Sequence, residues 1–428
     1  MENKKIKIVW LCAFSDKNIR SHLSFPWWYW GNIVRRVFGM KQHVDYAVWD
    51  TYALAEIKHY TEDIELHVIV PHSGISHIHE FKDFGIYYHV FWHESDIIIE
   101  KIKRRFNLRT EKAFPRSRKT ISRLIRKIQP DIVHVIGIEN KFHSMAVLDI
   151  PNSIPVIAQL QTLVSDTRFK ANCGLSEKEY AYNSNIEKLL LLRSDYIGTV
   201  VQRFREIISR DIKPKAVFVD TSLALSEPVI EKETNKEYDF VYFAADISKA
   251  VDLAIEAFAE ALKTEPCLLL DIIGGYSAEL KSKLDKRISD LGIENNVTFE
   301  GKLPTHEDVI AQIRKSRFAL LPLKIDLVSG SIRESMACGL PVVTTVTPAT
   351  PDLNIERECV LLSEMGDKKS MAQNMLRLVY DPLFAEMLRN NGLQYAQERI
   401  SNKRIVEKYI ETYYTCLRDY NNQENSAR

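Results

Sequence analysis

The segment 318–345, FALLPLKIDLVSGSIRESMACGLPVVTT, carries residues that could bind an anion and the group attached to it. A short loop with Ser329, Gly330 and Ser331 lies between an apolar run and a predicted helix. Backbone N–H groups at such a helix start attract phosphate. Glu334, one turn into the helix, could accept hydrogen bonds from the hydroxyls of a ribose or a sugar. The pattern favours a site for a nucleotide sugar.

Further candidates for this site also follow predicted strands. They are Lys249, Gly274, Gly301 and Asp326. Lys249 at a helix start could bind a diphosphate, or it could be an ordinary solvated lysine. The two glycines could let the backbone approach a ligand, or they could simply form turns. The carboxylates of Asp326 and Glu334 could bind hydroxyls, or they could serve as helix caps and ion-pair partners.

Composition narrows the class of protein. A chain of 428 residues with 45% apolar residues can bury two cores of ordinary size. Lys and Arg total 58 against 57 Asp and Glu, so the overall charge does not favour nucleic acid. The six cysteines are scattered without a CxxC, which indicates a reducing cytosol and argues against a structural zinc site.

Two observations concern membranes and targeting. No stretch approaches the roughly 18 apolar residues that a spanning helix needs. The basic N-terminus precedes only a short apolar run, which indicates a first strand rather than a signal peptide. The sequence therefore predicts a soluble or peripheral cytoplasmic protein.

The elements that must position the candidate residues form two α/β series. In the first half we predict a helix over 46–60 and strands over 6–14, 64–71, 86–92, 131–137, 154–160 and 195–201. In the second half we predict strands over 240–245, 267–275, 297–303, 318–322, 341–345 and 359–363. The predicted helices there are 251–262, one ending near 291, 368–380, 382–398 and 402–418.

Strands that alternate with helices indicate parallel, doubly wound sheets. The polar segment 221–239, which contains Pro228, is the predicted linker. We therefore expect an acceptor-side domain over 1–225, a nucleotide-binding domain over 226–400, and a C-terminal helix and tail over 401–428. Two such domains imply a cleft, with ligands at the carboxyl ends of the strands.

The N-terminal half offers two further candidate catalytic residues. Glu139 and His143 follow the predicted strand 131–137 and could contact the transferred sugar or the acceptor. A lone histidine is more often structural, so this interpretation of His143 stays open. His134, within the apolar strand, is predicted to be a core residue.

Two segments predict contact with an anionic membrane. Residues 25–41 cluster aromatic and basic side chains, and residues 101–127 contain twelve Lys and Arg with only Glu111 opposing them. Aromatic rings favour the bilayer interface, and each cation near an anionic leaflet contributes about 1 kcal/mol. An aromatic minicore beside a solvated basic helix would explain the same residues. Nucleic-acid binding is disfavoured, because aromatic and basic residues do not interleave.

The C-terminal half, about 240–400, resembles the group 1 retaining glycosyltransferases of GT-B fold. The resemblance rests on VDLAIEAF, LLLDIIGG, NVTFEGKLP and, most specifically, ESMACGLPVV (334–343). It implies that Glu334 is the second acid of the family's E-x7-E motif and binds the donor ribose. It also implies that Lys249 is the phosphate-binding lysine, that sugar configuration is retained, and that no metal cofactor is required.

The chain departs from the family pattern at four places. The first acid of the motif is Asp326, Ala244 and Ala245 occupy the region of the phosphate-binding arginine, and Gln161 stands where the family often has an active-site histidine. The glycine-rich loop after strand one is replaced by SDKNIRSHLS. The residues that could replace the missing positive charge are Arg333, Lys324 and Arg20.

We therefore predict a glycosyltransferase that moves a sugar from a nucleotide-diphosphate sugar to a hydroxyl of a sugar or lipid-linked acceptor, in surface polysaccharide or glycolipid assembly. The alternative is a non-catalytic nucleotide-sugar-binding partner of another transferase, because the phosphate arginine is missing. A dehydrogenase is disfavoured, since no G-x-G-x-x-G follows a strand. The fold alone does not separate a sugar-phosphate epimerase from these.

Overall fold

The computed structural model describes residues 5–37, 45–92, 113–224, 235–246, 250–324 and 329–427. The chain divides into two compact units. The first contains 1–225 and 402–428, and the second contains 226–401. The predicted linker lies largely outside the described residues.

The described part of the first unit contains one sheet of eight strands in the order β3-β4-β2-β1-β5-β6-β7-β8. The strands are β1 Ile6–Leu11, β2 Ile64–His72, β3 His79–Asp83, β4 Ile86–Trp92, β5 Ile132–Ile136, β6 Val156–Gln159, β7 Tyr196–Gly198 and β8 Val217–Val219. All pairs are parallel except β3 with β4. The six predicted strands are confirmed. The edge strands β3 and β8 were not predicted, because β3 (HEFKD) is not an apolar run and β8 (VFV) has only three residues.

Helices cover this sheet. They are α1 Lys17–Ser21, α2 Trp30–Val37, α3 Val48–Ile57, α4 Pro115–Ile128, α5 Lys141–Ser144, α6 Thr167–Asn172, α7 Glu177–Arg193 and α8 Gln202–Asp211. Apolar strands such as β1 become buried because helices on both faces exclude water, as expected for a parallel sheet.

The second unit contains, within its described residues, a sheet of six parallel strands in the order β11-β10-β9-β12-β13-β14. The strands are β9 Tyr238–Asp246, β10 Leu270–Gly275, β11 Val297–Gly301, β12 Ser316–Leu321, β13 Val342–Thr345 and β14 Val360–Ser363. Its helices are α9 Val251–Leu262, α10 Ala278–Leu291, α11 His306–Ile313, α12 Gly330–Ala337, α13 Lys368–Tyr380 and α14 Pro382–Arg399. The predicted doubly wound α/β class is confirmed.

The C-terminal helix α15, Asn402–Ala427, packs in the first unit. Its Tyr409 and Tyr413 are buried with Trp10 and His134 in the core of that unit. The Tyr413 hydroxyl accepts a hydrogen bond from Trp10 Nε1 at 2.7 Å and lies 2.7 Å from His134 Nδ1. His134 is thus a core residue, as the sequence predicts.

The strand order places one switch point in each sheet. In the first sheet the chain leaves β1 toward β2 on one side, while β5 lies on the other. In the second sheet β9 and β12 are related in the same way. Connections diverge at such points, so loops at the carboxyl ends of these strands leave room for a ligand.

Candidate functional site

The structure contains the helix that the sequence predicts after β12, but the helix starts two residues earlier than the expected position, Ile332. Helix α12 begins at Gly330, and Ser329 is its N-cap, with an extended backbone (φ −63°, ψ 154°). The Ser329 hydroxyl accepts a hydrogen bond from the Ile332 amide at 3.3 Å and lies 3.1 Å from the Ser331 hydroxyl. The capping bond uses only one of the free amides of the first turn, so others can receive an anion.

Glu334 lies one turn into α12 with its side chain only 12% exposed. His306 Nε2 at the start of α11 lies 3.3 Å from Glu334 Oε1, an ion-pair distance without the alignment of a hydrogen bond. Glu334 raises the pKa of His306, against the opposing effect of burial. His306 was missed by the sequence analysis, because 28 residues separate it from Glu334.

The two predicted glycines end neighbouring strands. Gly274 lies in β10 with φ 143°, and Gly301 ends β11 with φ 72°. The register of β10 against β9 shifts between Ile273 and Gly275, at Gly274 itself. The register of β10 against β11 shifts between Ile272 and Ile273, just before the partner residue Gly301. A Cβ on Gly301 would lie 3.4 Å from the Tyr276 hydroxyl. Both positions favour glycine for their backbone conformation, and their donor-binding role remains a prediction.

Two predicted site residues, Lys249 and Asp326, lie outside the described residues. Arg333 lies on α12 and is half-buried. Lys324 Nζ lies 3.5 Å from an oxygen of Asp252. Arg20 belongs to the first unit, where it bonds Asp45 at 2.6 Å and the Ser15 hydroxyl at 3.0 Å. The replacement for the missing phosphate arginine therefore remains a prediction.

In the first unit, the predicted residue Glu139 lies in a polar cluster just after β5. The Gln161 amide is oriented so that both of its ends form hydrogen bonds. Gln161 Nε2 donates to Glu139 Oε1 at 2.7 Å, and Gln161 Oε1 accepts from Trp49 Nε1 at 3.1 Å. The residue Glu139 is partly exposed, yet its Oε2 is closed to solvent and has no hydrogen-bond partner. Burial raises the pKa of Glu139 to about 7.

Other buried acids surround this cluster. Burial and then the neighbouring Glu139 raise the pKa of Asp50 well above its usual range. Burial also raises the pKa of Glu187 to about 7, although Glu187 accepts hydrogen bonds from Val164 N at 2.6 Å and Ser165 N at 2.9 Å. The carboxyl end of the sheet at β5 and β6 therefore concentrates groups that exchange protons near neutral pH.

His143, the other predicted catalytic residue, is fully buried in α5. Its Nε2 lies 3.1 Å from the Ile136 carbonyl oxygen and therefore donates to it, while Nδ1 has no hydrogen-bond partner. Burial lowers the pKa of His143 to about 4, so the ring is neutral. This geometry anchors the turn after β5, and a catalytic role for His143 remains a prediction.

The described residues also bear on metals and membranes. Within the described ranges, no group of three or more His, Cys, Asp or Glu side chains has the arrangement of a metal site. Among the helices in the described part of the chain, none is both long and apolar enough to cross a bilayer.

Comparisons with known proteins concern the family of the second unit. Residues 227–395 match the family model described as "Glycosyl transferases group 1". N-acetyl-alpha-D-glucosaminyl L-malate synthase of Bacillus anthracis is 26% identical over 174 residues, which cover 41% of this chain and 44% of that protein. The chain spans about half the length of the curated relatives that it matches, from 38% to 57%.

Solved structures show the fold over nearly the whole chain. Sucrose-phosphate synthase from Thermosynechococcus elongatus aligns with a TM-score of 0.66 and 14% identity, covering 97% of this chain and all of that one. HepE of Anabaena, solved with UDP, aligns with a TM-score of 0.60 and 13% identity, covering 96% of this chain and all of that one. The chain therefore has the GT-B fold, and its second unit is a group 1 glycosyltransferase domain.

Proposed function

We propose that the protein is a glycosyltransferase that moves a sugar from a nucleotide-diphosphate sugar to a hydroxyl acceptor. The observation that carries this proposal is the Ser329-capped start of α12 with Glu334 one turn further on, inside a domain that matches group 1 glycosyltransferases. Free amides at the helix start would hold the diphosphate. Glu334 would accept hydrogen bonds from the ribose hydroxyls.

The reaction needs stabilisation of the departing diphosphate above all. The amides of α12 are fixed before the substrate arrives, so they can stabilise the charge without reorganisation. Lys249, the predicted phosphate lysine, would add a full positive charge. His306, 3.3 Å from Glu334 Oε1, would remain beside that carboxylate and keep it in place when hydroxyls bind to it.

A uridine nucleotide is the first donor to test. The Anabaena HepE structures contain UDP and UDP-glucose, and a TarM structure contains UDP with alpha-GlcNAc-glycerol. These ligands belong to those proteins, and their shared UDP supports a UDP-sugar as the donor of this chain.

A thermal-shift panel with UDP-glucose, UDP-N-acetylglucosamine, GDP-mannose and NAD tests binding. A ligand at 100 times its Kd stabilises the folded protein by about 2.7 kcal/mol. The proposal expects a shift with a sugar nucleotide and none with NAD. Nucleotide release in the presence of a lipid extract then separates the two functional candidates, because a non-catalytic partner binds the donor without consuming it.

Variants of α12 test the site itself. Glu334→Gln should weaken donor binding about tenfold, as expected from one lost charge-assisted hydrogen bond, while Glu307→Gln on the exposed face of α11 should leave it unchanged. Ser329→Ala should cost about 1 kcal/mol of stability and also weaken binding. Ser277→Ala removes an equivalent cap from α10 and should cost stability alone. Equal donor affinity in all four variants would refute the assignment of Ser329 and Glu334 to the donor site.

We further propose that the first unit attaches to an anionic membrane surface, where a lipid-linked acceptor would be found. Helix α4 presents the exposed cations Lys119, Arg123 and Arg126. Arg116 of the same helix lies over the Trp92 ring at 5.9 Å, and Trp92 in turn donates a hydrogen bond to Tyr29. The basic helix thus adjoins the aromatic segment.

The aromatic segment supplies apolar side chains to this surface. Trp27 is 67% exposed and Trp28 is 59% exposed. Large exposed indole rings beside cations fit an interface of lipid headgroups. Residues 38–41 and 101–112, which belong to the predicted membrane segments, lie outside the described residues.

Liposome flotation tests this attachment. The protein should bind vesicles with 30% phosphatidylglycerol at low salt and release them at high salt, because screening weakens the attraction. The triple charge reversal at Lys119, Arg123 and Arg126 should abolish binding. The same reversal at three lysines of the second unit, Lys263, Lys283 and Lys286, is the control. Equal binding of both triple variants would contradict the proposal.

A further inference from the structure

The Glu139 carboxyl is held on one side only. Gln161 Nε2 donates to its Oε1 at 2.7 Å, and the Gln161 amide is itself fixed by Trp49 Nε1 at 3.1 Å. The second carboxyl oxygen, Oε2, is closed to solvent and lacks a partner. A buried polar atom without a hydrogen bond lowers the stability of the fold. An unpaired Oε2 therefore points to a hydrogen-bond partner that the protein alone does not supply.

The backbone around the carboxyl is shaped for this arrangement. Gly137, the residue after β5, has φ +76°. A Cβ at this position would lie 2.8 Å from the Gln161 amide and 3.1 Å from Glu139 Oε1. A side chain there would therefore displace the Gln161–Glu139 contact. The three residues Gly137, Glu139 and Gln161 form a unit at the carboxyl end of β5 and β6.

We propose that Gln161, fixed by Trp49, is a positioning residue that presents Glu139 Oε2 to a hydroxyl group of a sugar substrate. This inference rests on the proposed function. Gln161 then acts through Glu139, because its amide nitrogen and oxygen each already bond a neighbouring side chain. Glu139 is partly exposed as a residue, so the turn that carries it lies within reach of a ligand.

The chemistry of the carboxyl suits such a contact. Burial raises the pKa of Glu139 to about 7, and the hydrogen bonds of its own amide and of the Gln161 backbone oppose that rise. Near neutral pH the group exists in both forms, so it can accept a hydrogen bond from a hydroxyl or donate one to it. Glu187 raises the pKa of Glu139 further through its own charge.

Infrared difference spectroscopy of the carboxyl stretch tests the positioning role without substrate. The spectrum of Glu139→Gln identifies the Glu139 band, which should titrate near pH 7 in the wild type. Gln161→Leu removes a donor to the ionised form and should raise the pKa by about 0.5 to 1 unit. Gln159→Leu is the control, because Gln159 ends strand β6 only two residues before Gln161 and donates to Ser222 O and the Tyr409 hydroxyl instead. An unchanged titration in Gln161→Leu would overturn the positioning role.

Binding and turnover test the hydroxyl contact. If the hydroxyl belongs to the donor sugar, Glu139→Gln should lower the affinity for UDP-glucose about tenfold and leave the affinity for UDP unchanged. If it belongs to the acceptor, both affinities should stay constant while nucleotide release with a lipid extract falls by a similar factor. Wild-type affinity and turnover in Glu139→Gln would overturn the contact.

These experiments distinguish a failure of the proposed glycosyltransferase function from a failure of the positioning role of Gln161. If the wild type neither binds nor consumes UDP-glucose or UDP-N-acetylglucosamine, the glycosyltransferase proposal and the sugar contact fall together. The infrared titration still decides whether Gln161 positions Glu139. Circular dichroism and thermal melting of each variant show whether a lost signal comes from unfolding.

Discussion

The substitution Tyr413→Phe isolates two of the hydrogen bonds that join the C-terminal helix to the rest of the first unit. The Tyr413 hydroxyl accepts from Trp10 Nε1 and lies against His134 Nδ1, each at 2.7 Å. Burial lowers the pKa of His134 to about 3, so the ring is neutral and its Nδ1 can accept the hydroxyl proton. Phenylalanine keeps the ring packing and removes only the oxygen.

The expected cost follows from the two groups left behind. Trp10 Nε1 and His134 Nδ1 are both buried, and each unsatisfied polar group costs about 1–3 kcal/mol. We expect Tyr413→Phe to lower the free energy of unfolding of the first unit by about 2–4 kcal/mol. With a urea m-value of about 3 kcal/mol/M, the unfolding midpoint falls by about 1 M.

Tryptophan fluorescence is the appropriate signal, because all six tryptophans lie between residues 10 and 92 and therefore report on the first unit alone. Tyr414→Phe is the matched control, since Tyr414 is the next residue of α15 and is 48% exposed. Equal midpoints for the two variants would refute the view that the buried hydroxyl holds α15 on the first unit.

Two further predictions concern buried charges in the first unit. Burial raises the pKa of Glu187 to about 7, so near neutral pH the folded state binds a proton that the unfolded chain does not bind. The stability that this proton contributes is lost as pH rises through 7. Between pH 8 and pH 6 the wild type should therefore gain about 1.4 kcal/mol more free energy of unfolding than Glu187→Gln, measured by urea unfolding at both pH values. A parallel pH dependence in the two proteins would contradict the assignment. Arg203→Leu should destabilise the first unit by about 2 kcal/mol, because it leaves the fully buried Asp166 carboxylate unpaired, while Arg203 itself is one-third exposed. Arg210→Leu, from an exposed pair, should leave the melting temperature unchanged, and equal melting of both arginine variants would count against the pairing.

Much of the fold was predictable because its signals are local. Apolar runs such as 64–71 and 86–92 bounded by polar residues give strands of nearly the predicted length. Ser329 before a helical pattern gives the N-cap of α12, and Gly339, with φ +69°, follows its end. The helix start came two residues earlier than expected, since the capping serine and not the first apolar residue sets the boundary.

Other features were hidden because their partners are distant in sequence. The strand β3, HEFKD, alternates between partly and fully exposed residues at the sheet edge, so it lacks an apolar run. Helix α15 has an apolar face, yet nothing in its pattern says which unit covers that face. The ion pair of His306 with Glu334 joins two helices whose proximity depends on the order of the strands.

The sequence by itself determined the α/β class, most of the strands, the presence of a helix after β12, and Glu334 as a carboxylate near the start of that helix. Each of these depends on residue types within a few positions of one another, which is the range of backbone hydrogen bonding and capping. Only the tertiary structure decided that α15 belongs to the first unit, that His306 accompanies Glu334, and that Gln161 holds Glu139. These contacts form when folding brings distant segments together, and their free energy comes from burial and from satisfying polar groups that no local pattern pairs in advance.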